Sequence, residues 1–425
     1  MLKKIFLVLI KLFFLLFSTS GFGMIYGTFI ISIPVLILIG IDIILILLII
    51  TKKTQVRRKI LLLAILFIIW SIIVTATRFD ISSYILPLVG FIIMWIPLLV
   101  KIPMSESQRL LILSKWYCRG LVFSFIFAYQ DILSALFKLP KTEEIIPFAV
   151  AQRVGNLSES LNIGIDRINS LMTEPSEYAT FLVFGYICLE YLSSKKIINK
   201  NKAIILKLHT LFFLLFTFSL SGLVLFAAYL IFNNAFWFLH RNINYRQSMS
   251  RLFSACLTIG ITFVVVTNII PDANIAIDSF IERTNATLFT IGEQNLNTSG
   301  GARINSLNVA FDSLQSDYGI IGQGFGNNVA NWLMNNYGNL SSEYARGDIF
   351  NIYAAVLIGV GVPGLLIFMG VIYQSFNKNQ KIDDYQIKFF FTWLLLGFTL
   401  GSLLYYSYWG AFYVIATEGK YLVKK

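Results

Sequence analysis

Apolar runs near or above the ~20 residues needed to cross a bilayer recur along the whole chain, divided by short polar connections. They predict twelve membrane helices, at residues 4–20, 28–50, 60–77, 83–100, 112–133, 175–193, 203–218, 220–239, 252–270, 349–376, 389–404 and 405–417. The number falls to eleven if 389–417 is a single tilted helix. The rhythm breaks at length between Pro271 and Gly347, where the apolar runs stop and no lysine occurs. A polar stretch of that length is too long for a plain connection and should hold helices of its own. Within it Ile304, Leu307, Phe311 and Leu314 recur at i, i+3, i+7 and i+10, a helical stripe suited to the membrane surface or the mouth of the bundle.

Charge then orients the helices. Lys3/Lys4, the cluster from Lys52 to Lys59, Lys101/Arg109/Lys115, the cluster from Lys195 to Lys202, Arg241/Arg246/Arg251, Lys378/Lys381/Lys388 and Lys420/Lys424/Lys425 all fall on one side. The long loops 134–174 and 271–348 and the connection around Arg78 and Asp80 fall on the other. By the positive-inside rule both termini are expected to be cytoplasmic and both long loops extracytoplasmic. The basic start and apolar run Ile5–Phe17 have the outline of a signal peptide, but no clear small-residue cleavage site follows. The charge alternation requires a retained first span. The fold class expected is an all-α polytopic membrane protein, one integral membrane domain over 1–425 with a large extracytoplasmic loop containing short helices.

Composition narrows the classes further. Hydrophobic residues make up 57 % and charged residues 13 %, against an ordinary charged share of about 25 %, which excludes a soluble globular protein. The net charge of +12 lies mostly in the short connections, so it reads as a topology signal and not as a nucleic-acid footprint. Cys118, Cys188 and Cys256 have unrelated spacings and give neither a disulfide framework nor a metal site. No internal repeat is visible, which weakens a transporter reading built on inverted halves.

Two segments on the outer side could carry chemistry. Arg167, Glu174, Pro175, Ser176, Glu177 and Tyr178 lead into the sixth span, with Pro175 suited to a first helical turn and Thr173 or Glu174 to its cap. Ionisable groups at the edge of hydrocarbon are costly unless paired or functional. The second segment runs from Gly300-Gly301 and Arg303 through Gly322-Gln-Gly324-Phe-Gly326 to Asp348, Asn351, Tyr353 and Gly361-Val-Pro-Gly364. The Gly-x-Gly-x-Gly run follows no predicted strand, so it predicts a tight loop near helix ends and not a dinucleotide site.

Together these segments resemble the superfamily of Wzy-type O-antigen and capsule polymerases and O-antigen ligases. The resemblance lies in the many spans, the dominant late outer loop, Arg167 before Glu174-Pro-Ser, Arg303 before a Gly-x-Gly turn, and Asn351-x-Tyr353 before Gly361-x-x-Gly364. It implies a metal-independent glycosyltransferase without cofactors in a bacterial cytoplasmic membrane, using polyprenyl-pyrophosphate-linked oligosaccharides among membrane lipids. A chain-length regulator and a flippase are the partners it implies, and nucleic acid is not. In ligases of this kind a histidine usually precedes the Asn-x-Tyr segment. Here Phe350 stands there, and the only histidines, His209 and His240, map to the cytoplasmic side. That favours polymerase over ligase and leaves Asp348 or Glu174 as the base. Arg167 and Arg303, then Arg283 and Arg346, are expected on the pyrophosphate or glycan, with Tyr178 and Asn351 beside them. Trp332, Tyr337 or Tyr344 are candidates for stacking on sugars. A flippase or transporter of the same intermediates is the rival from another class. It would place charges deep in several spans, whereas here the spans are nearly free of charge, with Lys11 and Asp42 as clear interior cases.

Overall fold

A computed structural model describes residues 1–26, 29–78, 81–102, 106–140, 168–240, 299–337, 349, 351–375, 384–399 and 406–416. The expected span 252–270 and most of the loop interiors lie outside them. The first helices are α1 (Leu2–Leu15), α2 (Ile33–Ile50), α3 (Arg58–Ala76), α4 (Ser82–Leu99) and α5 (Glu106–Phe137). They are followed by α6 (Pro175–Ser194), α7 (Lys200–Phe216), α8 (Leu220–His240), α9 (Ser299–Leu314), α10 (Asn327–Tyr337), α11 (Ile352–Gln374), α12 (Asp384–Leu396) and α13 (Tyr406–Ile415). Among the described residues, α2, α3, α4, the stretch 108–134 of α5, and α11 are long and apolar enough to cross a membrane. This is an all-α membrane protein with one small departure. Strands β1 (Gly23–Tyr26) and β2 (Phe29–Ser32) pair antiparallel, Gly23 opposite Ser32 and Tyr26 opposite Phe29.

That hairpin corrects the expected second span, whose helix starts at Ile33 and not at residue 28. β-branched Ile25, Ile30 and Ile31 suit a strand as well as a helix, and Pro34 supplies the helix start in the first turn. α5 outruns its expected span at both ends because its polar flanks contain no breaker between Glu106 and Phe137. At the other end of the chain, 389–417 is not one helix. α12 stops at Leu396 and α13 begins at Tyr406, and Trp393 stacks on Tyr408 at 4.4 Å and meets Phe412 at 4.2 Å.

α6 is the axis of the bundle. It is buried on nearly every side, as an all-round apolar helix must be, and packs against α5, α7, α8, α12 and α13. Aromatic rings knit the neighbours together: Phe17 stands 5.7 Å from Phe181 and 5.1 Å from Tyr406, whose hydroxyl donates to the Phe17 carbonyl. A second cluster joins α3, α4, α11 and α13 through Phe67, Phe91, Trp95, Phe368 and Trp409. Such ring pairs add about 0.5–1.5 kcal/mol each beyond area burial. α3 and α11 run antiparallel, because Leu63 lies against Gly370 while Trp70 lies against Gly364. A half-buried ion pair braces α6, α7 and α8: Lys207 Nζ is 3.1 Å from Glu190 Oε1, and the Tyr229 hydroxyl donates to Glu190 Oε2.

Candidate functional site

The glycine-rich turn and the last long helix explain each other. α11 breaks at Gly361, whose φ of 65° and ψ of −167° no helix allows, and Pro363 two residues on has no N–H to give. A break in a membrane helix strands carbonyls that must find partners inside the protein. The turn provides them. Gln323 N donates to the Ile358 carbonyl at 2.7 Å, and Gly324 N to that of Gly359 at 2.8 Å. Trp70 Nε1 donates to the Val360 carbonyl at 2.8 Å, and Val362 N reaches the Ile320 carbonyl at 3.0 Å.

Such a close approach needs glycine. Gly322 sits at φ 107°, and a methyl group there would fall 2.6 Å from the Gly359 oxygen and the Gly361 nitrogen. The other side of the turn is pinned to α3 and α4. Phe325 N donates to Thr75 Oγ1 at 3.1 Å, and the Phe325 ring stacks on Tyr84 at 5.3 Å. The Tyr84 hydroxyl in turn donates to Ser71 Oγ at 2.9 Å. The Gly322–Gly326 segment is therefore a tight loop at helix ends, as its composition predicts, and it also holds a helix open.

α9 and α10 cover this turn. Val309, Ala310, Val329, Leu333, Ile349, Ala354 and Ile358 form a separate small core between them and α11. The helix expected from the stripe is present, and a different face of it packs into the protein. Ser306, Val309, Ala310 and Ser313 are buried, while Leu307 is 38 % and Phe311 59 % exposed. Small residues let α9 approach α11 closely, so the large apolar side chains point away from the protein. Arg303 lies in the first half of α9, upstream of the buried face.

Sequence reasoning gave no role to Arg78, which the structure brings into this group. It follows α3 directly, donates from Nη2 to the Gly322 carbonyl at 3.1 Å, and lies with its guanidinium carbon 3.4 Å from the centre of the Tyr318 ring. The signal available was a lone arginine in a connection otherwise poor in basic residues.

The first segment forms a second hydrogen-bonded group. Glu174 is the N-cap of α6, Pro175 takes the first helical position, and Glu174 Oε2 accepts from Ser176 Oγ at 2.8 Å. Glu177 is 3 % exposed, and its Oε2 accepts from Ser20 Oγ at 2.9 Å and from Thr173 Oγ1 at 2.8 Å. A buried carboxylate is tolerable only with such donors. Tyr178 is wholly enclosed, its hydroxyl 3.3 Å from Ser124 Oγ. Ser170 ties the preceding turn to α5, its N–H reaching Asp131 Oδ2 at 2.9 Å and its hydroxyl the Ser124 carbonyl at 2.8 Å.

Asn351 Oδ1 caps α11 by accepting from Tyr353 N at 3.0 Å and Ala354 N at 3.1 Å. The Tyr353 hydroxyl donates to the Leu394 carbonyl at 2.8 Å. α12 and α13 then lead to Phe17 and Ser20, and so to Glu177. Arg167, Arg283, Tyr344, Arg346, Asp348 and Phe350 lie outside the described residues, as does the Arg303 side chain. Trp332 is half-buried at the edge of the small core. His209 lies on α7 between Phe125 and Tyr129, bonded to the Ile205 carbonyl at 2.8 Å. Among the described residues no cluster of three histidine, cysteine, aspartate or glutamate side chains could hold a metal ion.

No curated protein matches the chain. Residues 205–369, which run from α7 through most of α11, match a protein-family model described as O-antigen ligase. The matched region takes in Arg303, the Gly322–Gly326 turn, Asn351 and the Gly361 break, and leaves out Arg78, Glu174 and Tyr178. This match supports a place in the O-antigen ligase and polymerase superfamily, whose members carry out glycan transfer on lipid-linked substrates at membranes.

Proposed function

We propose that the protein is a polysaccharide polymerase that moves a growing glycan from a polyprenyl-pyrophosphate carrier to a lipid-linked repeat unit on the outer face of the cytoplasmic membrane. One observation carries the reading: the family-matched stretch folds as a joined unit of α9, turn and broken α11, with Phe350 and not a histidine directly before Asn351. In the transfer, an acceptor hydroxyl oxygen bonds to the anomeric carbon of the donor sugar. The bond from that carbon to the phosphate oxygen breaks, and the pyrophosphate leaves with the electron pair. The hydroxyl proton passes to a carboxylate, Asp348 or Glu174. Arg303 and Arg167, with Arg283 and Arg346, stabilise the charge gathering on the leaving group through charge-assisted bonds. Arginine suits this because it stays charged and meets phosphate oxygens in a fork.

The test is Arg303→Ala in the native host at matched membrane levels, read as the surface polysaccharide ladder on a gel. Loss of the ladder with single repeat units still displayed supports polymerase. Absence of any unit at the surface, with units retained inside, would point to a transporter. An unchanged ladder removes Arg303 from the mechanism.

A further inference from the structure

Arg78 is a fixed cation beside an apolar surface. α3, the helix it follows, is long and apolar enough to cross the membrane, so Arg78 stands where hydrocarbon ends. Its anchors, the Gly322 carbonyl and the Tyr318 ring, carry no formal charge. Its Nε is buried with no hydrogen-bond partner among the described residues. A guanidinium N–H withdrawn from water without an acceptor is costly, and none of the contacts of this half-buried cation neutralises its charge. Its planar fork fits two oxygens of a phosphate. Beside it Tyr318, Ile320 and Ile321 are 50 %, 67 % and 47 % exposed. These residues are held rigidly, because Ile320 accepts from Val362 N and Tyr318 accepts from Gly322 N at 2.8 Å.

We infer that Arg78, braced by Tyr318 and the Gly322 carbonyl, is a further substrate-binding residue that takes the phosphate oxygens of an isoprenoid diphosphate whose chain lies over Ile320 and Ile321. The inference rests on the glycan-transfer reading, since that reaction needs a lipid-linked diphosphate donor. An anionic phospholipid headgroup offers similar oxygens, but it has a glycerol where the isoprenoid carrier has its chain.

The test is binding of farnesyl diphosphate to the full-length protein in detergent, for wild type, Arg78→Ala and Arg78→Lys, with unliganded melting temperatures measured alongside. The lysine variant keeps the charge and loses the fork. Loss of a charge-assisted contact should weaken binding about tenfold or more in Arg78→Ala and less in Arg78→Lys, at an unchanged melting temperature in the latter. Wild-type affinity in Arg78→Ala, or in Arg78→Lys should the alanine variant not fold, overturns the role of Arg78 and leaves glycan transfer standing. Failure of the wild type to bind the probe overturns the isoprenoid-diphosphate site and leaves glycan transfer, which the polysaccharide ladder tests, standing. Vesicles of phosphatidylglycerol that displace the probe as well as unlabelled farnesyl diphosphate does would overturn the isoprenoid assignment in favour of a headgroup site.

Discussion

Gly322→Ala tests whether the glycine turn holds the break in α11. The substitution places a methyl group 2.6 Å from the Gly359 oxygen and the Gly361 nitrogen, at a φ of 107°. A side chain in such a backbone region costs about 1–3 kcal/mol. Moving the turn away to relieve the clash lengthens the Gln323–Ile358 and Gly324–Gly359 hydrogen bonds. Each buried carbonyl left unanswered adds about 1–3 kcal/mol. A local loss of about 4 kcal/mol raises the open population of the turn roughly a thousandfold. Hydrogen exchange of the peptide carrying residues 322–326, followed by mass spectrometry, reads that opening directly. Gly370→Ala is the control in the same helix, because its added methyl meets Leu63 Cδ1 at an ordinary 3.4 Å. It should leave exchange unchanged or slow it. Wild-type protection in Gly322→Ala would refute the claim that the turn clamps the break.

Other consequences follow from the same contacts. Trp70→Phe removes the donor to the Val360 carbonyl and should cost about 1–3 kcal/mol, seen as a lower melting temperature; an unchanged value would mean the carbonyl finds another partner. Glu177→Gln keeps an oxygen for Ser20 and Thr173 and should be tolerated, whereas Glu177→Leu strands both hydroxyls and should lower the melting temperature, with equal stability of the two variants counting against the role assigned to the carboxylate. A nitroxide at Phe311, on the exposed face of α9, should be more accessible to oxygen than to a water-soluble nickel complex if that face rests on the membrane, and the reverse order would place it in water.

The parts of the fold legible in the sequence are those set by local pattern. Runs of apolar residues locate α3, α4, α6, α7 and α8 to within a few residues because a membrane helix satisfies its own backbone. The hairpin at 23–32 was hidden because isoleucine-rich stretches suit strand and helix alike. The break in α11 was visible only as a Gly-Val-Pro-Gly motif. Its partners are Ile320, Gln323, Gly324 and Trp70, the last nearly three hundred residues upstream, and no window of sequence joins them. The stripe on α9 marks a helix and its outward apolar face. Periodicity finds the apolar face but does not reveal that a small-residue face packs against α11. At the site, Pro175 and Glu174 fall where their types predict, while the contacts of Arg78, to Tyr318 and Gly322, join residues too distant in sequence for any local pattern to show.

As the polymerase proposed, this chain would join repeat units while they are on the lipid carrier. Lipid-linked intermediates extracted from a host carrying Arg303→Ala, and sized after release of the glycan, test it most directly. Single repeat units should accumulate on the carrier and longer lipid-linked chains should disappear. Accumulation of long, fully polymerised chains on the carrier would contradict it and would make the protein a ligase that acts after polymerisation is complete.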